Sequence, residues 1–183
     1  MEIAHLPEGW HDMLVVLGTS AAALIGLLFI ATSLHLKEVV NNPALQRRAF
    51  NNTCYLVVIL VETLLVLTPQ PPIILGAELI ALNLVGLSLP VRFVANFFTH
   101  EEVYRRAGGQ LHRAAIFIAS FLLGIAGGVA FTQGSLSWGL YLVAASCIIF
   151  MVRVVFMAWS IMVSVGQSEP AWNEQREAMH ERQ

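Results

Sequence analysis

The chain has 183 residues, 57% of them hydrophobic and 12% charged, with a formal net charge of −2 and a mean hydropathy of +0.70. Soluble domains carry about a quarter charged residues, so this much apolar content exceeds what one soluble core of this length needs. The near-neutral balance and the lack of a basic stripe exclude a nucleic-acid binder.

Five long apolar stretches approach or exceed the ~20 residues that cross a bilayer as a helix. They predict an all-α polytopic integral membrane protein, with residues 1–165 forming a single five-helix transmembrane domain. The first helix covers about residues 10–36, with Trp10 and His11 at the outer interface and Lys37 at the inner end. Glu2, Glu8 and Asp12 precede it, the reverse of a secretory signal's basic start, so it is expected to remain as a helix. Asn42 and Pro43 read as N-cap and first position of a second helix over 43–67, which carries Arg47 and Arg48 in its first turns. The run Thr68-Pro69-Gln70-Pro71-Pro72 stops it in a tight outer hairpin, because proline ends one helix and starts the next.

The third helix spans about 72–94, with a kink expected at Pro90. Beyond it, Thr99-His100-Glu101-Glu102 matches a capping box and Gly108-Gly109 a stop, predicting a short cytoplasmic interfacial helix between helices three and four. The fourth helix covers about 114–131, Thr132-Gln133-Gly134-Ser135 turns the chain outside, and the fifth covers about 138–165. Residues 166–183 form a polar cytoplasmic tail.

Charge sets the orientation. Lys37, Arg47, Arg48, Arg92, Arg105, Arg106, Arg113, Arg176 and Arg182 fall on one expected side, Arg153 lies within a span, and the other side has no Lys or Arg. The positive-inside rule then predicts N-out/C-in.

Helices in lipid associate through close packing and hydrogen bonds rather than apolar burial. Gly18, Ala22 and Gly26 form one stripe of small residues, and Ser120, Gly124 and Gly128 another; each can serve helix packing or line a pore. Glu62, Glu78 and Arg153 are charged residues within the spans, where each needs a partner or water. A rise of ~1.5 Å per residue puts both glutamates roughly 10 Å below the outer turn and Arg153 about 22 Å below it. Asn83, at about 16 Å, is the nearer polar candidate for Arg153. Facing one another, the carboxylates would repel; facing outward in an oligomer, they would form an acidic ring that attracts cations. They can also simply hydrogen-bond to neighbouring helices. These four residues are the candidate ion pathway or buried polar network.

The cysteines, Cys54 and Cys147, lie in apolar segments and read as small hydrophobes. No His pair has zinc-protease spacing, and no phosphate loop or nucleophile elbow is present, so neither a metal, a cofactor nor an enzymatic activity is expected.

The stretch Gly18 to His35, after Trp10-His11-Asp12, resembles small uncharacterised bacterial polytopic inner-membrane proteins with a Gly/Ala-rich first transmembrane helix. The resemblance covers about 25 residues, implies a bacterial inner (cytoplasmic) membrane location and carries no site residue. The leading functional expectation is a homo-oligomeric channel or pore for ions or small solutes. The alternatives are a non-conducting accessory or scaffold protein, docking a cytoplasmic protein partner through its loops and tail, and a small proton-coupled transporter.

Overall fold

In the computed structural model, whose described residues are 8–98 and 108–166, the chain is helical apart from short turns. The elements are α1 (Glu8–Leu34), α2 (Leu36–Asn41), α3 (Pro43–Leu67), α4 (Pro72–Phe98), α5 (Gly108–Thr132) and α6 (Leu136–Gly166). Five segments are long and apolar enough to cross a membrane: Gly9–Leu34, Leu45–Leu67, Pro72–Arg92, Ala114–Thr132 and Leu136–Trp159.

Each long helix divides into a packed face and an exposed apolar face. In α1, Leu14, Leu17, Ala21 and Leu28 are buried, while Val16, Leu27, Phe29 and Ile30 are exposed. In α3, Asn52, Tyr55, Leu56, Ile59, Glu62, Thr63 and Val66 recur at three- and four-residue spacing and are all buried. That face lets α3 contact α1, α4 and α6 at once, while α5 closes the bundle between α4 and α6. Phe29 and Val85 are each 72% exposed, an arrangement that suits hydrocarbon and not water as the surrounding solvent.

Local signals explain the ends. Asn42 Oδ1 accepts from the Leu45 N–H at 3.2 Å behind Pro43. After the hairpin, α4 opens with the Ile74 and Leu75 N–H groups donating to the Pro71 carbonyl. After α5, Ser135 N–H donates to Ala130 C=O at 2.9 Å and Gly134 N–H to Phe131 C=O at 3.0 Å. With Gly134 at φ +78°, this is a Schellman motif, which needs a residue without Cβ strain in the left-handed region.

Several boundaries differ from the sequence reading. The first span ends at Leu34, and α2 follows a turn at His35, held by Val39 packing on Leu45. α4 continues through Pro90 to Phe98, because Asn96 is the single polar residue between Val94 and Phe98 and does not by itself break a helix. α5 begins at Gly108, ahead of the expected start near 114, with Gly108 and Gly109 at positions where N–H groups lack intrahelical partners anyway. The interfacial helix expected around 99–107 and the tail at 167–183 lie outside the described residues.

The tightest seam joins α4 and α5. A Cβ placed on Gly76 would lie 2.5 Å from the Gly128 carbonyl oxygen, and one on Gly128 would lie 2.7 Å from Ile80 Cγ1. One on Gly86 would meet the Phe121 ring. By contrast Gly26, on α1, has nothing within 4 Å of such an atom. Gly76→Val is therefore expected to destabilise the protein by about 1–3 kcal/mol through overpacking, and Gly26→Val to fall within about 0.5 kcal/mol of wild type. Unfolding in detergent, followed by loss of helical signal, checks both.

Candidate functional site

Helix α3 carries Glu62, α4 carries Asn83 and α6 carries Cys147, and the bundle brings all three together. The Asn83 amide Nδ2 donates to Glu62 Oε1 at 2.6 Å and to the Leu79 carbonyl at 2.9 Å. The Cys147 thiol donates to Glu62 Oε2 at 3.1 Å. All three residues are 0% exposed. Asn83 reaches the carboxyl because Gly124 of α5 lies beside its amide: a Cβ at 124 would overlap the Asn83 side chain. On the α1 side, Gly18 makes room for Thr63, the residue next to Glu62.

The donor inventory defines what this centre can hold. Both amide hydrogens of Asn83 are committed and the thiol has one to give, while a carboxylate offers about four acceptor positions. Asn83 Oδ1 is buried and has no hydrogen-bond partner. Among the described residues no cationic side chain reaches the carboxyl, and no three His, Cys, Asp or Glu side chains gather into a metal-binding group. The centre has acceptor capacity to spare and is short of positive charge. A proton or one small monovalent cation would satisfy it.

The other candidate residues are placed as follows. Glu78 is half-buried and accepts from Gln70 Nε2 at 2.9 Å, while the same nitrogen donates to the Leu65 carbonyl at 3.3 Å. Glu78 thus braces the hairpin between α3 and α4, and the two glutamates have separate partners. Arg153 lies two turns below Cys147 on α6, its guanidinium carbon 5.6 Å from the centre of the Phe117 ring, a cation–π distance. Asn83, the polar candidate for Arg153, is engaged by Glu62 instead. Between the Cys147 and Arg153 levels sits an aromatic layer, with Tyr55 and Phe117 stacked at 4.1 Å and Phe121 edge-on to Phe150 at 4.7 Å.

The two small-residue stripes have different fates. Ser120, Gly124 and Gly128 are all buried; Gly124 and Gly128 meet α4, and the Ser120 carbonyl accepts from Ser146 Oγ of α6 at 2.9 Å. In the first stripe Gly18 is buried, whereas Ala22 and Gly26 are exposed on the surface of the bundle.

Cys147 is the partner that the sequence reading passed over, having taken it for a small hydrophobe. Depth was the available signal: nine residues past Trp138, it lies about 14 Å down by helix rise, between the levels of Glu62 and Asn83.

Removing the Asn83 amide leaves the buried carboxyl short of a donor, so Asn83→Leu should cost about 1–3 kcal/mol. The double variant Glu62→Leu/Asn83→Leu should cost less than the two single changes together, by about 1 kcal/mol or more. Unfolding of the four proteins in detergent measures that coupling. Comparison with protein-family models, with curated proteins and with solved structures found no match, so the functional reading rests on this geometry.

Proposed function

We propose that the protein is a multi-pass protein of a bacterial inner membrane, oriented N-out/C-in, that carries a proton or a small monovalent cation on the Glu62 carboxyl. Glu62 is exposed to each side of the membrane in turn, as in a small ion-coupled transporter. The observation that carries this reading is a carboxyl group sealed at 0% exposure, held by two neutral donors and reached by no cationic side chain among the described residues. Ionisable groups inside a membrane are costly and characteristically mark ion pathways or relays. A permanently open pore would keep such a group in water. An occluded carboxyl instead fits a site that opens and closes.

The orientation rests on Lys37, Arg47, Arg48, Arg92 and Arg113. They sit near the helix ends opposite the turns at 68–71 and 133–135. Positive charge near short loops is retained in the cytoplasm.

A homo-oligomeric channel with its conduit between subunits is the second reading, favoured by the exposed Ala22 and Gly26 on α1. Small residues on a lipid-facing helix permit close approach of another helix.

Two measurements test these readings. Flux of H⁺, Na⁺, K⁺ and Cl⁻ into proteoliposomes is expected to be saturable, cation-selective and pH-dependent. Glu62→Gln should reduce it to background, with Glu78→Gln retaining most of it. Absence of flux from folded wild-type protein, or flux indifferent to Glu62→Gln, would overturn the Glu62 mechanism and favour an accessory, partner-docking role. Non-saturable flux that responds to Gly26→Leu but not to Glu62→Gln would favour the intersubunit channel. For the orientation, a membrane-impermeant thiol reagent applied to cells should label Ser135→Cys and spare Asn42→Cys, in a Cys54→Ser background.

A further inference from the structure

The inner half of the bundle contains a groove that the Glu62 centre does not use. It has a volume of about 200 Å³ and is lined by α1, α2, α3 and α6, with Leu28, Leu56 and Val154 among its walls and His35 at one end. Asn52, on α3, also lines it and is 0% exposed. The Asn52 Nδ2 donates to the Val154 carbonyl at 3.5 Å, and Asn52 Oδ1 is buried with no hydrogen-bond partner. The amide orientation follows from that contact, since a flipped amide would set two acceptors against each other. The atom left over is therefore an acceptor, and it needs a donor.

The walls and the depth restrict what can supply one. The groove opens sideways at Leu27 and Val155, which are 62% and 48% exposed, on the apolar exterior of the bundle. Thr32 contributes no free donor, because its hydroxyl donates to the Leu28 and Phe29 carbonyls at 2.9 and 3.0 Å. A dry cavity of about 150 Å³ accommodates one benzene ring, so this groove has room for a ring or short chain end. Asn52 lies about 25 Å below the outer hairpin by helix rise, within a few ångströms of the inner edge of a ~30 Å hydrocarbon layer. The hydroxyl of an amphiphile dissolved in the membrane lies near that level.

We propose that this groove binds an apolar, membrane-dissolved compound through a single hydroxyl group. A small side-chain shift brings Asn52 Oδ1 to the groove surface, where the hydroxyl donates to it; the ring or chain end fills the space between Leu28, Leu56 and Val154, and the remainder leaves between Leu27 and Val155 into the lipid. No covalent step is involved. The site stands apart from the Glu62 centre and does not depend on ion transport.

The probes are 4-octylphenol and octylbenzene, matched in apolar body and differing by the hydroxyl, added at equal mole fraction to the detergent-solubilised full chain. Binding is read as the dose-dependent rise in Tm and as bound mass per chain in native mass spectrometry. The expected result is one 4-octylphenol per chain, bound about tenfold more tightly than octylbenzene. Asn52→Leu should abolish that preference. Val155→Trp, a change on the exposed face that fills the opening, should abolish binding of both probes, and it supplies the test if Asn52→Leu fails to fold. Equal affinity of the two probes for wild type, no saturable binding of 4-octylphenol, or binding undiminished by Val155→Trp would each overturn the proposal.

Discussion

A carboxyl group inside an apolar bundle must find its hydrogen bonds within the protein, and Glu62 finds them in Asn83 and Cys147. That requirement fixes much else. It locks α3, α4 and α6 at one level, since each supplies one of the three groups. It also explains why α5 must be bare at Gly124, where a side chain would displace the Asn83 amide. The glycine seam at Gly76 and Gly128 brings α4 and α5 together by backbone contact, and it carries Asn83 inward to the carboxyl. Packing and polar satisfaction are thus one arrangement, because in lipid apolar burial alone does not hold helices together.

Polarity changes along the axis of the bundle in steps. At the end that holds the proline hairpin, Gln70 and Glu78 tie that turn to α4. Below them is the sealed Glu62 centre, and below that the layer formed by Tyr55, Phe117, Phe121 and Phe150. Arg153 and Asn52 lie beyond it, toward the end where the basic residues collect. The aromatic layer lies between the acidic centre and the arginine, and Glu62 and Glu78 have separate partners. This arrangement is what favours the proposed occluded carrier site over a standing conduit through the bundle.

Much of the helical architecture was legible because apolar runs of spanning length leave few alternatives. Proline, Asn-Pro and Gly signals also mark the turns chemically. The α2 segment was not legible, since six residues between a His35 turn and the Asn42 cap have no periodicity long enough to read. Helix rise alone put Glu62 and Glu78 at one depth and Asn83 about 6 Å deeper, but could not say which way each side chain points. Rotation about the helix axis decides that Asn83 meets Glu62 while Glu78 meets Gln70. The same limitation hid the difference between the small-residue stripes. A spacing of four identifies a smooth face, whether it meets α4, as Gly124 and Gly128 do, or faces outward, as Ala22 and Gly26 do. Cys147 and Asn52 escaped notice because a thiol or an amide in an apolar run acquires its role only from what the other helices place beside it.

In the proposed function, Glu62 is a sealed carboxyl that opens to exchange its ion. The most direct measurement is site-resolved modification by an apolar carbodiimide, which reacts with protonated carboxyl groups, followed by mass spectrometry of the Glu62 peptide across pH and added Na⁺ or K⁺. Modification of Glu62 in the folded protein, slowed by rising pH or by one of the cations, is the expected result. If Glu62 stays unmodified under all conditions while exposed carboxyls react, the centre never opens, and its role is to hold the bundle together.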